Sequence, residues 1–118
     1  MKHFIFLLIA TALFTACESG AGFLRSESPN GLNAIELKAT KVIAEPMQVS
    51  VEYIGGGKRT AQKVQLYAGS ISEENVSFLW ATEDDCSITF IEQDGTKKGL
   101  LVVQTNGVVG YQSFPIED

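Results

Sequence analysis

Histidine is almost missing from this chain: the single copy is His3, close to the start. Imidazole is the side chain most used as a general base near neutral pH and is a common metal ligand. Without it downstream, any nucleophile would depend on a lysine or a carboxylate as its base. Cysteine occurs only as Cys17 and Cys86. Positive charge is also scarce, with nine Lys and Arg against 14 Asp and Glu. No basic stripe exists to neutralise phosphates, which excludes nucleic acid as a partner. Long apolar runs are lacking too. The longest, Phe4 to Phe14, covers 11 residues, whereas a spanning helix needs about 20.

What the chain does have begins at its start. Met1-Lys2-His3 forms a short positive region ahead of that apolar run, and the small residues Thr15 and Ala16 follow. This order reads as a secretory signal peptide over residues 1–16. The junction Phe14-Thr15-Ala16-Cys17 resembles the lipobox of bacterial lipoproteins, with Phe where Leu is commonest. The resemblance implies cleavage before Cys17 and lipidation of its sulfur, with palmitate-type acyl chains as the membrane anchor. Each buried CH₂ contributes roughly 0.8 kcal/mol, so two or three chains hold where one does not. Glu18 rather than Asp follows the cysteine, which by the same resemblance implies the outer membrane of a Gram-negative cell envelope, with the domain in the periplasm or displayed at that membrane. Cleavage removes one cation, Lys2, and no acid. The mature chain is then still more acidic and should be repelled by anionic headgroups, leaving the acyl chains to anchor it.

With Cys17 lipidated, Cys86 is the remaining thiol and has no internal disulfide partner. It is expected as a small buried hydrophobe in a strand.

Residues 17–33 are rich in Gly, Ser and Asn and are expected as the lipidated cysteine and a flexible tether. Within them Ser28-Pro29-Asn30-Gly31 is a turn signal. Residues 34–118 are expected as one all-β domain. Ile35, Leu37 and Ala39 alternate with polar residues, as do Met47, Val49, Val51 and Tyr53, and then Val64, Leu66 and Ala68. Val76, Phe78 and Trp80 lead to Cys86, Ile88 and Phe90, and the run Leu100 to Val103 precedes Val108, Val109, Tyr111 and Phe114. Period-two alternation of β-branched and aromatic residues predicts strands. Gly55-Gly56-Gly57, Asp94-Gly95 and Asn106-Gly107 predict tight hairpins, the last two as type I′ turns. Pro46 should break or start a strand. Ser72 should cap one short turn before Val76. The sum is a small antiparallel β-sandwich or curled β-meander of about seven strands, with no internal repeat evident.

Several constellations are too weak to carry chemistry. Glu83-Asp84-Asp85 lacks the spaced ligands that calcium requires and reads as a solvated turn. Gly55-Gly56-Gly57-Lys58-Arg59-Thr60 has Arg59 where a phosphate loop needs a hydroxyl, and no helix follows. No cofactor or metal is expected. Phe78, Trp80 and Phe90 are expected in the core. Tyr67 and Tyr111 are the candidates for an exposed binding surface.

Ser28-Pro29-Asn30-Gly31 and the run Val76-Ser77-Phe78-Leu79-Trp80 leading into Cys86 resemble small uncharacterised envelope β-domains with a Ser-Pro-Asp-Gly opening. The resemblance implies a β-module and no catalytic residues. The expectation is a lipid-anchored, non-catalytic accessory protein that binds or supports an envelope protein partner. The alternative is an immunity-type inhibitor of a toxin, steered to a basic partner by its charge; an enzyme ranks third.

Overall fold

The computed structural model describes residues 22–40 and 46–116. Residues 1–16, Cys17 and the start of the tether lie outside the described residues. The described chain folds as eight strands in two antiparallel sheets of four. The first sheet holds β1 (Phe23–Glu27), β2 (Ala34–Thr40), β3 (Met47–Gly55) and β4 (Lys58–Leu66). The second holds β5 (Val76–Trp80), β6 (Asp85–Ile91), β7 (Lys97–Thr105) and β8 (Val108–Pro115). Each sheet is a meander in which every strand pairs with its neighbours in sequence. The two stack as a small β-sandwich, as the alternation predicts. Among the described residues no helix is long and apolar enough to cross a membrane.

The period-two pattern sets which way each strand faces. In β3, Met47, Val49, Val51 and Tyr53 are buried, and Gln48, Ser50, Glu52 and Ile54 lie on the other face. In β6, Cys86, Ile88 and Phe90 do the same. With Ile35, Leu37, Leu66, Leu100 and Val102 they form one core between the sheets. Each such side chain contributes about 1.5–3 kcal/mol when fully buried. Phe90 is fully buried and Phe78 and Trp80 pack against the cluster, so the three expected core aromatics are in place. Cys86 is a free, buried thiol, and burial pushes its pKa up to about 11.

Two expectations are corrected. The sheet starts inside the segment expected as tether: Phe23–Glu27 pairs along β2 from Phe23↔Lys38 to Glu27↔Ala34. Leu24 packs on the core and Arg25 ion-pairs with Glu36 of β2, which gives this short strand both an apolar and a charged hold. That makes eight strands where about seven were expected. The Asp94-Gly95 hairpin is also not type I′, because only Gly95 has a positive φ, 91°. Glu92 N donates to Thr96 O at 2.8 Å and Gly95 N to Glu92 O at 2.9 Å, giving a three-residue loop with glycine in the left-handed position.

The other turns follow their residues. Gly56 and Gly57 have φ of 60° and 77°, and Asn106 and Gly107 of 53° and 79°, as a type I′ turn requires. In the Ser28–Gly31 turn, Gly31 N donates to Ser28 O at 2.8 Å with Pro29 at the second position. The Ser72 turn forms as expected, with Ser72 Oγ accepting from Glu74 N at 3.2 Å and Ser72 O accepting from Val76 N at 3.0 Å. Although no repeat is evident in the sequence, the sheets copy each other. Strands of five, seven, nine and nine residues are followed by strands of five, seven, nine and eight.

Candidate functional site

Side-chain bridges between the sheets determine where the sandwich is closed. Trp80 Nε1 on β5 donates to Ser26 Oγ on β1 at 2.9 Å, fastening one edge. At the hairpin end, Asn33 Nδ2 donates to the carbonyl of Glu83 at 2.6 Å. Glu83 accepts from Asn30 N at 2.8 Å, and Asp84 Oδ1 accepts from Gln104 Nε2 at 3.3 Å. Glu83, with Asp84 accepting from Asn33 Nδ2 at 3.4 Å, thus fastens turns of the two sheets together. Among the described residues no group of three ligands could hold a metal ion.

Among the described residues, two side-chain bridges fasten the opposite edge, between β4 and β8, one near each end. Near one end Tyr111 Oη donates to Thr60 O at 2.9 Å and lies 2.8 Å from Thr60 Oγ1. Near the other end Lys98 Nζ donates to Gln65 O at 3.3 Å. Between these two bridges the sheets stay apart. Val51↔Gln62 and Leu100↔Ser113 put Gln62 and Ser113 at core-facing register positions, and neither is apolar. The result is a cleft of about 530 Å³, with Phe90 and Leu100 as its floor and Val64 on one wall. This lies within the range of small-molecule sites, about 300–1,000 Å³.

The electrostatics of the cleft are uneven. None of its lining residues is acidic, and Lys98 is the cation at an inward register position; Lys63 borders the cleft but pairs with Ser50 on the outer face. Lys98 Nζ also lies 3.2 Å from Glu92 Oε2 and 5.8 Å from the centre of the Tyr67 ring. The Glu92 side chain is only 7% exposed, and it accepts a second bond from Tyr67 N at 2.9 Å. A buried carboxylate needs such partners.

Both tyrosines singled out by sequence therefore sit at this seam. Tyr111 is half-buried, lines the cleft and spends its hydroxyl on Thr60. Tyr67, 59% exposed, stands just beyond β4 against Lys98. Sequence reasoning missed Lys98, Glu92, Gln62 and Ser113. The signal available was the loss of alternation in Thr60-Ala61-Gln62-Lys63 and Gln112-Ser113.

The outer faces differ in kind. The first sheet carries a ladder of charges: Arg25 bonds Glu36, and Arg59 reaches Glu36 at 3.4 Å and Glu52 at 2.9 Å. The Arg59 guanidinium holds Glu52 below its ordinary pKa. The middle of the second sheet's outer face carries Leu79, Ser87, Leu101 and Gln112 in one register row, and the row beside it is Ser77, Thr89, Gly99 and Phe114. Neither row carries a charge.

Comparison with protein-family models, with curated proteins and with solved structures finds no match to this chain.

Proposed function

We propose that this protein is a non-catalytic binding module, tethered to the envelope by acyl chains on Cys17. The observation that carries the binding role is the seam between β4 and β8: a concave cleft held open between two bridges, with an apolar floor and a polar rim. Its chemistry suits recognition better than catalysis. The Tyr111 hydroxyl is engaged by Thr60, and the Lys98 ammonium is held between Glu92 and Gln65 O, so neither is poised as a base. The anchor rests on the Phe14-Thr15-Ala16-Cys17 junction, and the outer membrane is the proposed location.

The test is an affinity pull-down of the full-length lipidated chain from its native envelope, paired with fractionation of Cys17→Ala. The wild-type chain should enter the membrane fraction and recover one reproducible partner. Cys17→Ala should accumulate as precursor or leave that fraction. Unchanged fractionation of the variant overturns the anchor, and recovery of no partner or ligand overturns the binding role. Recovery of a secreted toxin would assign the protein as an inhibitor instead of an accessory subunit.

A further inference from the structure

We propose that β8 pairs with β8 of a second copy of this chain, antiparallel about a two-fold axis at Tyr111. This inference goes beyond the binding role above and does not depend on it.

The four sheet edges are unlike. β4 carries Lys58, Arg59 and Lys63, and β1 carries Arg25 and Glu27. Charges on an edge strand deter other strands from pairing with it. β5 is uncharged but only five residues long. β8 runs for eight residues, Val108–Pro115, without one charge, and no described strand lies on its far side. A long neutral edge lets two copies, each of net charge −5, meet without bringing like charges together.

The backbone groups free on that edge follow from the register. Gln104 N donates to Asp84 O at 3.0 Å, away from β8, so Gln104↔Val109 is a non-hydrogen-bonded pair. By the period of two, so are Val102↔Tyr111 and Leu100↔Ser113. Val109, Tyr111 and Ser113 therefore turn their N–H and C=O groups outward from β7. Pro115 follows in the same phase and has no N–H.

Two copies of this edge complement each other. Centring the pair on Tyr111 sets Val109 against Ser113 on both sides and Tyr111 against itself. Every free donor then meets a free acceptor, in about six bonds at two per hydrogen-bonded pair, and Pro115 falls beyond the ladder. The outer face agrees. Val108, 69% exposed, stands opposite Phe114 of the other copy, a β-branched and aromatic pairing that sheets favour. Gln112 stands opposite Gly110, which has no side chain. Beside Gly110 lies a hollow of about 160 Å³, bordered by Leu101 and Val103, with room for that glutamine. The contact is one strand long, about 23 Å at roughly 3.3 Å per residue. That places it at the small end of interfaces, under roughly 1,200 Å² in total, and its Kd should exceed about 1 µM.

The experiment has two arms. The mature chain with Cys17→Ser, which keeps every described residue, is followed by sedimentation velocity and amide hydrogen exchange from below to well above that Kd. A monomer–dimer equilibrium is expected, with exchange slowing at Val109, Tyr111 and Ser113 as the dimer forms. Gln112→Lys, at an exposed position, should weaken it about tenfold, and more at low salt. Ser113→Pro, which removes an N–H that faces away from β7, should weaken it likewise while keeping the fold. In the second arm, full-length chains carrying Gly110→Cys and Gln112→Cys are expressed together in the envelope and treated with a mild oxidant. A Cβ at Gly110 meets nothing within 4 Å, and residues opposite each other in a non-hydrogen-bonded pair, about 4.5 Å apart, are within disulfide reach. The mixed disulfide should form, and neither variant alone should cross-link. A monomer at every concentration, a dimer indifferent to both β8 variants, or failure of the mixed disulfide each overturns the pairing. If the β8 amides gain protection only when an envelope partner is added, the edge belongs to a foreign strand and self-pairing falls. If the dimer forms and no partner or ligand is recovered, the pairing stands and the binding role falls.

Discussion

Replacing Tyr53 with Phe should stabilise this protein. The Tyr53 side chain is fully buried, and its hydroxyl finds no hydrogen-bond partner among the described residues. A buried hydroxyl without a partner gives up its water and gains nothing in return, at about 1–3 kcal/mol. Phe keeps the ring against the core and removes only one oxygen, so the cavity left behind is small. A net gain of about 1 kcal/mol is expected, or roughly 4–8 °C in the Tm of a domain this size. The gain should also depend on pH. Burial raises the Tyr53 pKa, and the nearby charges of Asp84 and Asp85 raise it further. A raised folded-state pKa means stability that is complete below the ordinary tyrosine value, roughly pH 10, and is lost as pH climbs above it. Tyr53→Phe lacks that loss, so its advantage should widen above about pH 10. Cys86, pushed up to about 11, titrates with the same sign in both chains and cancels in the difference. Urea denaturation at pH 7 and pH 10.5, followed by circular dichroism, measures both effects. A loss of 1 kcal/mol or more at pH 7 would refute the reasoning, since it would mean that the hydroxyl is bonded in solution.

Two further substitutions probe the closures. Gly55→Ala would place a Cβ 2.3 Å from Asn33 Oδ1 and 2.9 Å from Tyr53 Cε1. A loss of about 1–3 kcal/mol is expected from this overpacking, read as a lower urea midpoint at unchanged m-value; an unchanged midpoint would show that Asn33 can move aside. Trp80→Phe removes the bond to Ser26 and should cost about 1 kcal/mol; no change in urea midpoint would mean that Leu24, the Arg25–Glu36 pair and the pairing with β2 hold β1 without it.

The strands that alternate cleanly were legible because burial on one face imposes a period of two, as in Met47 to Tyr53. β1 escaped because its inward positions are Leu24 and Ser26, and Ser26 earns its place through a bond to Trp80, 54 residues away. No local pattern records such a partner. The Asp94-Gly95 loop was misread for a related reason: the dipeptide permits type I′, but the bonds among Glu92, Gly95 and Thr96 select a longer loop. The cleft is harder still, because it is made by what Gln62 and Ser113 fail to fill. Whether a polar residue at an inward position closes or opens a seam depends on the strand opposite, here β8 across from β4. Tyr67 was legible as an aromatic on the polar side of its run and Tyr111 as one that closes the last alternation, but Lys98, which lies beside Tyr67, was not.

The single crossover between the sheets, from Tyr67 to Asn75, has a consequence for how the molecule assembles. Every strand pairing on either side of it joins sequence neighbours, so each meander can zip up from its own turns at little loop-closure cost. Only the meeting of the two finished sheets brings distant residues together, and Asn33, Trp80, Tyr111 and Lys98 act at that step. Weakening those four should leave the speed of refolding nearly untouched and show as faster unfolding. The seam would then be the first part of the molecule to open and the last to close.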